Sequence, residues 1–294
     1  MKGNCIVWLG LVILGYCGWL SGFTELSAGT LEEIKERGTL RWGADAEGGG
    51  PFVYPRDDDP TQYQGFEVEI ADLLAARLGV KAEFQQGQWD KLPELLKRGD
   101  IDLVLNGYEW KPRYVGRFGT SLPYYIYQLQ LLAGKEDSEL KSWETLRQKK
   151  TEGKGGKWRI AVLGGTAAED YLREHYAETV DLILFDGSTD AMRSVELKID
   201  GLDATLQDLP IATFYADRFP DLTRIGEPVA PGYYVMLTRY EDQELVLALN
   251  RALVECWQDG SIPKVLHKYG LWNPIQEQRG LLVDERGNFQ PALQ

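Results

Sequence analysis

Residues 96–107 read Leu-Lys-Arg-Gly-Asp-Ile-Asp-Leu-Val-Leu-Asn-Gly, and residues 197–208 read Leu-Lys-Ile-Asp-Gly-Leu-Asp-Ala-Thr-Leu-Gln-Asp. Each stretch reads as the end of a helix, a tight turn and then a strand, with Ile101, Leu103 and Leu105 alternating as one face of the first strand. Both strands end in polar residues. Open α/β sheets bind ligands beyond the carboxyl ends of their strands. The same unit in both halves of the chain therefore implies two similar α/β lobes, each with a ligand-facing strand end.

The surroundings extend this pattern. Thr39 to Gly43 reads as a short strand, and Phe66, Ile70, Leu73, Leu74 and Leu78 recur at helical spacing before Gly79, where the helix stops. Val80 to Phe84 alternates as a strand, and Leu92, Leu95 and Leu96 mark a helix ending near Gly99. After the polar, glycine-rich run from Lys149 to Lys157, the order restarts: strand from Trp158 to Leu163, helix from Ala167 to Tyr176, strand from Leu182 to Phe185. Alternation of strand and helix predicts parallel sheets with helices on both faces.

With 294 residues the chain is long enough for two compact domains, and 44% hydrophobic residues support a packed core. The formal net charge of −13 argues against phosphate-based nucleic-acid binding, which needs clustered Lys and Arg. The first segment differs from the rest: after Lys2 no charge appears from Gly3 to Thr24. Residues 1–28 read as a secretory signal peptide, with Leu26-Ser27-Ala28 as an exit site, or as an N-terminal anchor, because the run is also long enough to span a bilayer. Cys5 and Cys17 lie in it, which leaves Cys256, in a helical pattern, as a buried inert thiol. No hydrophobic run after Phe23 is long enough to span, so a membrane partner is expected to be a separate chain, or this sequence is part of a longer one.

Several strand ends carry candidate binding groups. Thr166 and Glu169 have capping-box spacing, and Gly164-Gly165 before them lets the backbone approach a ligand, so the free N–H groups of this helix start are a seat for a carboxylate. The bland alternative is an ordinary capped helix. Asp208, before Leu209-Pro210, suits an ammonium group or caps the next helix. Asp45, Glu47 and Glu109 fall at other strand ends, and Trp89 is a ligand platform or a packed core residue. His175 and His267 lie far apart outside any metal-ligand spacing, and no nucleophilic triad motif occurs, so no cofactor and no metal is expected.

The motifs Gly65-Phe66-Glu67-Val68-Glu69-Ile70-Ala71, Gly99-Asp100-Ile101-Asp102, Pro123-Tyr124-Tyr125, Gly164-Gly165-Thr166, Leu206 to Ala212 and Asp259-Gly260-Ser261-Ile262, in this order, resemble the bacterial extracellular solute-binding proteins of family 3, from about Gly38 to Trp272. The resemblance implies a type II periplasmic-binding-protein fold, α/β and two-lobed, with two crossing strands between the lobes. The expected division is 36–132 plus 237–275 for lobe 1, 133–236 for lobe 2 and 276–294 as a tail. The implied role is capture of an amino acid or related amine by an exported monomer in the periplasm or on the outer face of the cytoplasmic membrane, for delivery to the permease of an ABC transporter. Carried over position by position, Asp208 holds an α-ammonium, Thr166 with Gly165 helps hold an α-carboxylate, and Trp89 packs on the ligand side chain. Asp45 touches that side chain, and Asn106, Gly107 and Glu109 match the stretch that supplies backbone and hydroxyl contacts.

One position departs from the family pattern. A carboxylate-binding arginine is expected in a Thr-Pro-Glu-Arg context, whereas this chain reads Lys111-Pro112-Arg113-Tyr114, which puts Tyr114 there. Arg113 substitutes if the turn shifts by one residue, or Arg117 reaches in from the next turn; tyrosine cannot replace a bidentate guanidinium. With Asp45, Glu47, Glu109 and Asp208 near one cleft, a positively charged ligand is expected. The alternatives are an enzyme of the same fold, cyclohexadienyl-dehydratase-like with Glu109 as the acid, and an extracellular ligand-sensing domain.

Overall fold

The computed structural model describes residues 29–279 apart from 48, 137–138 and 151–155. The expected signal or anchor at 1–28, with Cys5 and Cys17, lies outside the described residues, as does 280–294. Among the described residues, no helix is long and apolar enough to cross a membrane.

The chain opens with α1 (Thr30–Arg37), β1 (Thr39–Ala44), the short strands β2 (Tyr54–Pro55) and β3 (Tyr63–Gln64), α2 (Phe66–Leu78), β4 (Lys81–Gln86), α3 (Leu92–Arg98), β5 (Leu103–Val104), β6 (Phe118–Thr120) and β7 (Tyr125–Gly134). It continues through α4 (Trp143–Leu146), β8 (Trp158–Leu163), α5 (Ala167–His175), β9 (Val180–Phe185), α6 (Ser188–Glu196), β10 (Ala204–Asp208) and α7 (Leu209–Phe214). The last elements are β11 (Leu222–Tyr234), β12 (Leu237–Arg239), α8 (Gln243–Gln258), α9 (Ser261–Lys268) and α10 (Pro274–Arg279).

Two five-stranded sheets result, ordered β4-β1-β5-β12-β6 and β11-β7-β10-β8-β9. The expectation of parallel sheets needs correction: both are mixed. β1 with β4 and β5, and β8 with β9 and β10, are parallel, whereas β12, β6, β7 and β11 pair antiparallel. The antiparallel strands are those in which the chain passes between the two sheets, so they enter against the local strand direction.

The two stretches quoted at the outset occupy equivalent places. Asp102 N–H donates to Arg41 O while Arg41 N–H donates to Asp102 Oδ2 at 2.7 Å, and Asp203 N–H donates to Arg159 O while Arg159 N–H donates to Asp203 Oδ2 at 2.9 Å. Each aspartate thus starts its strand beside a parallel neighbour, β1 for Asp102 and β8 for Asp203, and each takes a base: Arg41 and Arg37 on Asp102, Lys150 on Asp203.

α8 packs on α1, α2 and α9, and so covers the first sheet rather than the second. Cys256 on α8 is fully buried, and burial pushes its thiol pKa up. The sequence-based limits fall differently against the elements. The step at 132/133 lies inside β7, which joins the second sheet from Tyr125, and the step at 275/276 lies inside α10, where Gln276 is buried and donates to Ile126 O at 2.7 Å.

The paired aspartates are the testable part of this symmetry. Asp102→Ala strands two arginines and a backbone N–H, and should lower urea-unfolding stability by about 2–3 kcal/mol. Asp203→Ala should do the same. Asp100→Ala, which loses only the exposed Arg98 pair, should stay within about 0.5 kcal/mol. Equal effects at Asp100 and Asp102 would remove the strand-start role.

Candidate functional site

The carboxyl ends of β1, β4 and β5 face those of β8, β9 and β10 across a cleft enclosing about 670 Å³, part of it open solvent. Its walls take Trp89, Asn106 and Glu109 from the first sheet's loops and Thr166, Asp186 and Asp208 from the second's. Asp45, Glu47 and Gly107 also line it. The structure therefore brings together seven of the nine residues expected to bind, with Glu47 beside them. Gly165 and Arg113 do not line it: the Arg113 guanidinium is exposed and donates to Gly165 O at 3.0 Å.

The first wall is held by a chain of hydrogen bonds that starts at Glu67. This carboxylate is fully buried and accepts from Gly107 N–H at 2.8 Å and from the Tyr124 hydroxyl. Gly107 has φ +60, and a Cβ there would stand 2.8 Å from Phe52 Cε1, so only glycine fits the turn. Asn106 Oδ1 accepts from Asp45 N–H at 2.9 Å, and Asn106 O accepts from Trp89 Nε1 at 2.9 Å. Asp45 Oδ2 in turn accepts from Trp89 N–H at 3.1 Å. Trp89 stacks on Tyr108, with ring centroids 4.7 Å apart, so its indole is fixed before any ligand arrives. Asp45 and Asn106 thus act in this geometry chiefly by positioning Trp89.

The second wall differs from the expected capping box. The Thr166 hydroxyl donates to Leu163 O at 2.7 Å and does not cap α5, while Glu169 accepts from Gly165 N–H. The free Ala167 N–H at the start of α5 donates instead to Glu109 Oε1, at 2.8 Å, from across the cleft. Glu109 is placed by a bridge to Tyr234 and by Trp110 N–H on Tyr233 O. Its other oxygen, Oε2, is buried with no hydrogen-bond partner among the described residues. Asp208 precedes α7 but its side chain does not cap it; the carboxylate accepts from the Tyr234 hydroxyl.

The electrostatics follow from burial. Desolvation raises the pKa of Glu109, against the pull of Lys111, and raises that of Asp208 well above the usual carboxylate range, with Glu109 adding to the rise. Lys111 Nζ, nearly buried, donates to Gly165 O and Asp170 Oδ2, both at 2.7 Å. Five lining residues carry carboxyl groups and none of the described lining residues is basic. Tyr114 packs with Leu92, Tyr108 and Val235 in the first sheet's core. The contribution of Glu67 was hidden in the sequence because it sits inside a helical pattern. Asp186, Gly187 and Ser188 follow a strand and open a helix, a signal that the strand-end rule could have picked out.

Comparison with known proteins agrees with this architecture. Residues 40–271 match the model of the bacterial extracellular solute-binding proteins, family 3, and the chain belongs to that family. It is 28% identical over 263 residues to the L-cystine-binding protein of Escherichia coli strain K12, covering 89% of this chain and 93% of the relative. Among solved structures it is similar to an ancestral amino acid-binding protein, a precursor of cyclohexadienyl dehydratase, with TM-score 0.71, 29% identity and coverage of 82% and 99%. The arginine-bound form of truncated ArgBP from T. maritima gives TM-score 0.65 at 26% identity, covering 76% and 99%.

Glu67 offers a pH test. Burial pushes its pKa from 4.5 up to about 7. A raised carboxyl pKa gives stability that is full below about pH 4.5 and lost as pH rises through about 7, worth about 3 kcal/mol. Glu67→Gln should flatten the wild-type fall in unfolding midpoint over that window, while the slope due to Glu109 and Asp208 remains. Parallel profiles for the two proteins would show that Glu67 does not titrate there.

Proposed function

We propose that this family member is an exported solute-binding protein that captures a small positively charged amino acid or related amine between its two lobes and delivers it, as a monomer, to the permease of an ABC transporter. The observation that carries this reading is the cleft itself, with walls from both sheets, five carboxyl-bearing lining residues and no base among those described. Two like charges about 5 Å apart repel by about 3 kcal/mol at an effective dielectric near 20, so a bound cation relieves a penalty that a neutral ligand leaves in place. Asp208 and Glu109 receive the positive group, Trp89 and Phe52 supply apolar contact, and Asn106, Gly107, Asp45 and Thr166 shape the walls. Arginine in the T. maritima structure is a ligand of this charge. The named curated relatives are binding proteins, which favours carriage over catalysis.

A second reading has one observation in its favour. Glu109 is a buried acid of raised pKa with one oxygen unpartnered among the described residues, an arrangement suited to protonating a leaving group, and one structural neighbour is a precursor of a dehydratase. The acidic cleft argues against an anionic substrate, because that substrate would meet carboxylates on both walls.

Two measurements test the binding reading. In calorimetric titrations arginine should bind more tightly than glutamine, and glutamine more tightly than glutamate. Asp208→Asn should weaken the best ligand by about 2–5 kcal/mol. Tightest binding to glutamate, or an Asp208→Asn affinity equal to wild type, would place the ligand elsewhere. The pH dependence has a definite sign: a cation favours the ionised carboxyls, whose pKa values are raised in the free protein, so affinity should rise between pH 5 and pH 8 with proton release on binding. Proton uptake would reverse the argument, and consumption of prephenate during incubation would favour the enzyme.

A further inference from the structure

We propose that the ligand is a primary amine or diamine without a carboxylate, because Glu109 occupies the anion seat at the start of α5 that a ligand carboxylate would need. This inference rests on the reading of the cleft as a cation site and narrows it.

The start of a helix presents free N–H groups and a positive dipole end, and is the natural seat for an anion. Here two of the backbone donors are taken from within. Ala167 N–H donates to Glu109 Oε1 at 2.8 Å, and Gly165 N–H donates to Glu169 Oε2 at 2.7 Å. The Thr166 hydroxyl, the next donor at this end, is turned to Leu163 O. The two bases nearest the seat are also committed: Lys111 to Gly165 O and Asp170, and Arg113 to Gly165 O. Tyr114, where the family resemblance leads one to expect a guanidinium, is packed in the first sheet's core. A ligand carboxylate would therefore enter among five carboxyl-bearing residues with no described basic residue lining the cleft.

The same residue points to what does bind. Glu109 comes from the first sheet's side, pairs through its backbone with Tyr234 and lines the cleft, with one carboxyl oxygen left free. That oxygen, Oε2, is buried and has no hydrogen-bond partner among the described residues, a costly state that an ammonium donor from the ligand would satisfy. Asp208, from the end of β10, is the second acceptor in the cleft. Two carboxyl groups from two lobes, with Trp89 and Phe52 also lining the cleft for a methylene chain, fit an alkyl amine or an α,ω-diamine.

The test is calorimetric titration of the protein with matched pairs that differ by one carboxylate: arginine with agmatine, lysine with cadaverine, ornithine with putrescine. In every pair that binds the amine should bind more tightly than its amino acid, and in at least one pair at least tenfold more tightly. An amino acid that binds as tightly as its amine, or more so, overturns this inference and leaves the cation reading standing. Preference for a neutral or acidic amino acid, or no binding by any member of any pair, overturns both. Glu109→Ser vacates the seat, so the ratio of agmatine to arginine affinity should fall at least fivefold; an unchanged ratio would show that Glu109 does not set the selectivity.

Discussion

The antiparallel pairing of β7 with β11 carries the constraint on which the rest depends. Tyr125 pairs with Tyr234 and Tyr127 with Gly232 in this ribbon, and Tyr234 stacks on Tyr127 and Tyr125 with centroids 4.8 and 5.6 Å away. A Cβ on residue 232 would stand 2.3 Å from the Tyr127 hydroxyl oxygen, so glycine is what lets the ring cross the ribbon. Stacked rings bury large apolar area at low rotamer cost. They also deliver hydroxyl groups to fixed points: Tyr234 to Asp208 and, one strand end away, Tyr124 to Glu67. The crossing thus fixes both carboxylates that organise the cleft, one as an acceptor in its wall and one as the holder of the Asn106–Gly107 turn.

This arrangement places carboxyl groups from both sheets on one cleft. Glu109 stands on the first sheet's side and Asp208 on the second's, and Glu109 raises the cost of ionising Asp208. A ligand shifts an equilibrium between open and closed lobes only by its differential affinity for the two. In the arrangement described, contacts from both walls are available together, and the Lys111 and Arg113 bonds to Gly165 O tie the lobes at the rim. Hinge motion at a few crossing residues is the usual way such folds exploit that difference.

Much of the fold was legible because its signals are local. Gly79 and Gly99 stop α2 and α3 in the left-handed conformation, and β8 spans the residues its alternation indicated. Strand direction was not legible: β12 and β7 read like any other strand, and only the passage between sheets makes them antiparallel. In the site, Trp89, Asn106 and Asp208 were visible as polar or aromatic groups at strand ends. Their partners were not, because Glu67 lies on an apolar helix pattern and Lys111 is known as a rim base only through contacts with Gly165 and Asp170, more than fifty residues away.

The capping-box expectation fails for a reason that bears on function. Thr166 and Glu169 have the right spacing, and in isolation they would satisfy each other's backbone. In the folded protein the helix start receives a carboxylate from across the cleft: Ala167 N–H, the first helical donor and not the one a threonine cap would take, donates to Glu109 Oε1. The Tyr234 pairing holds Glu109 beside α5, a long-range contact that no local spacing indicates. The hydroxyl then turns to Leu163 O, and Glu169 settles for Gly165 N–H and the Arg173 guanidinium. The helix start thereby has its first donor satisfied by a carboxyl group of the protein itself, delivered from the opposite wall of the cleft.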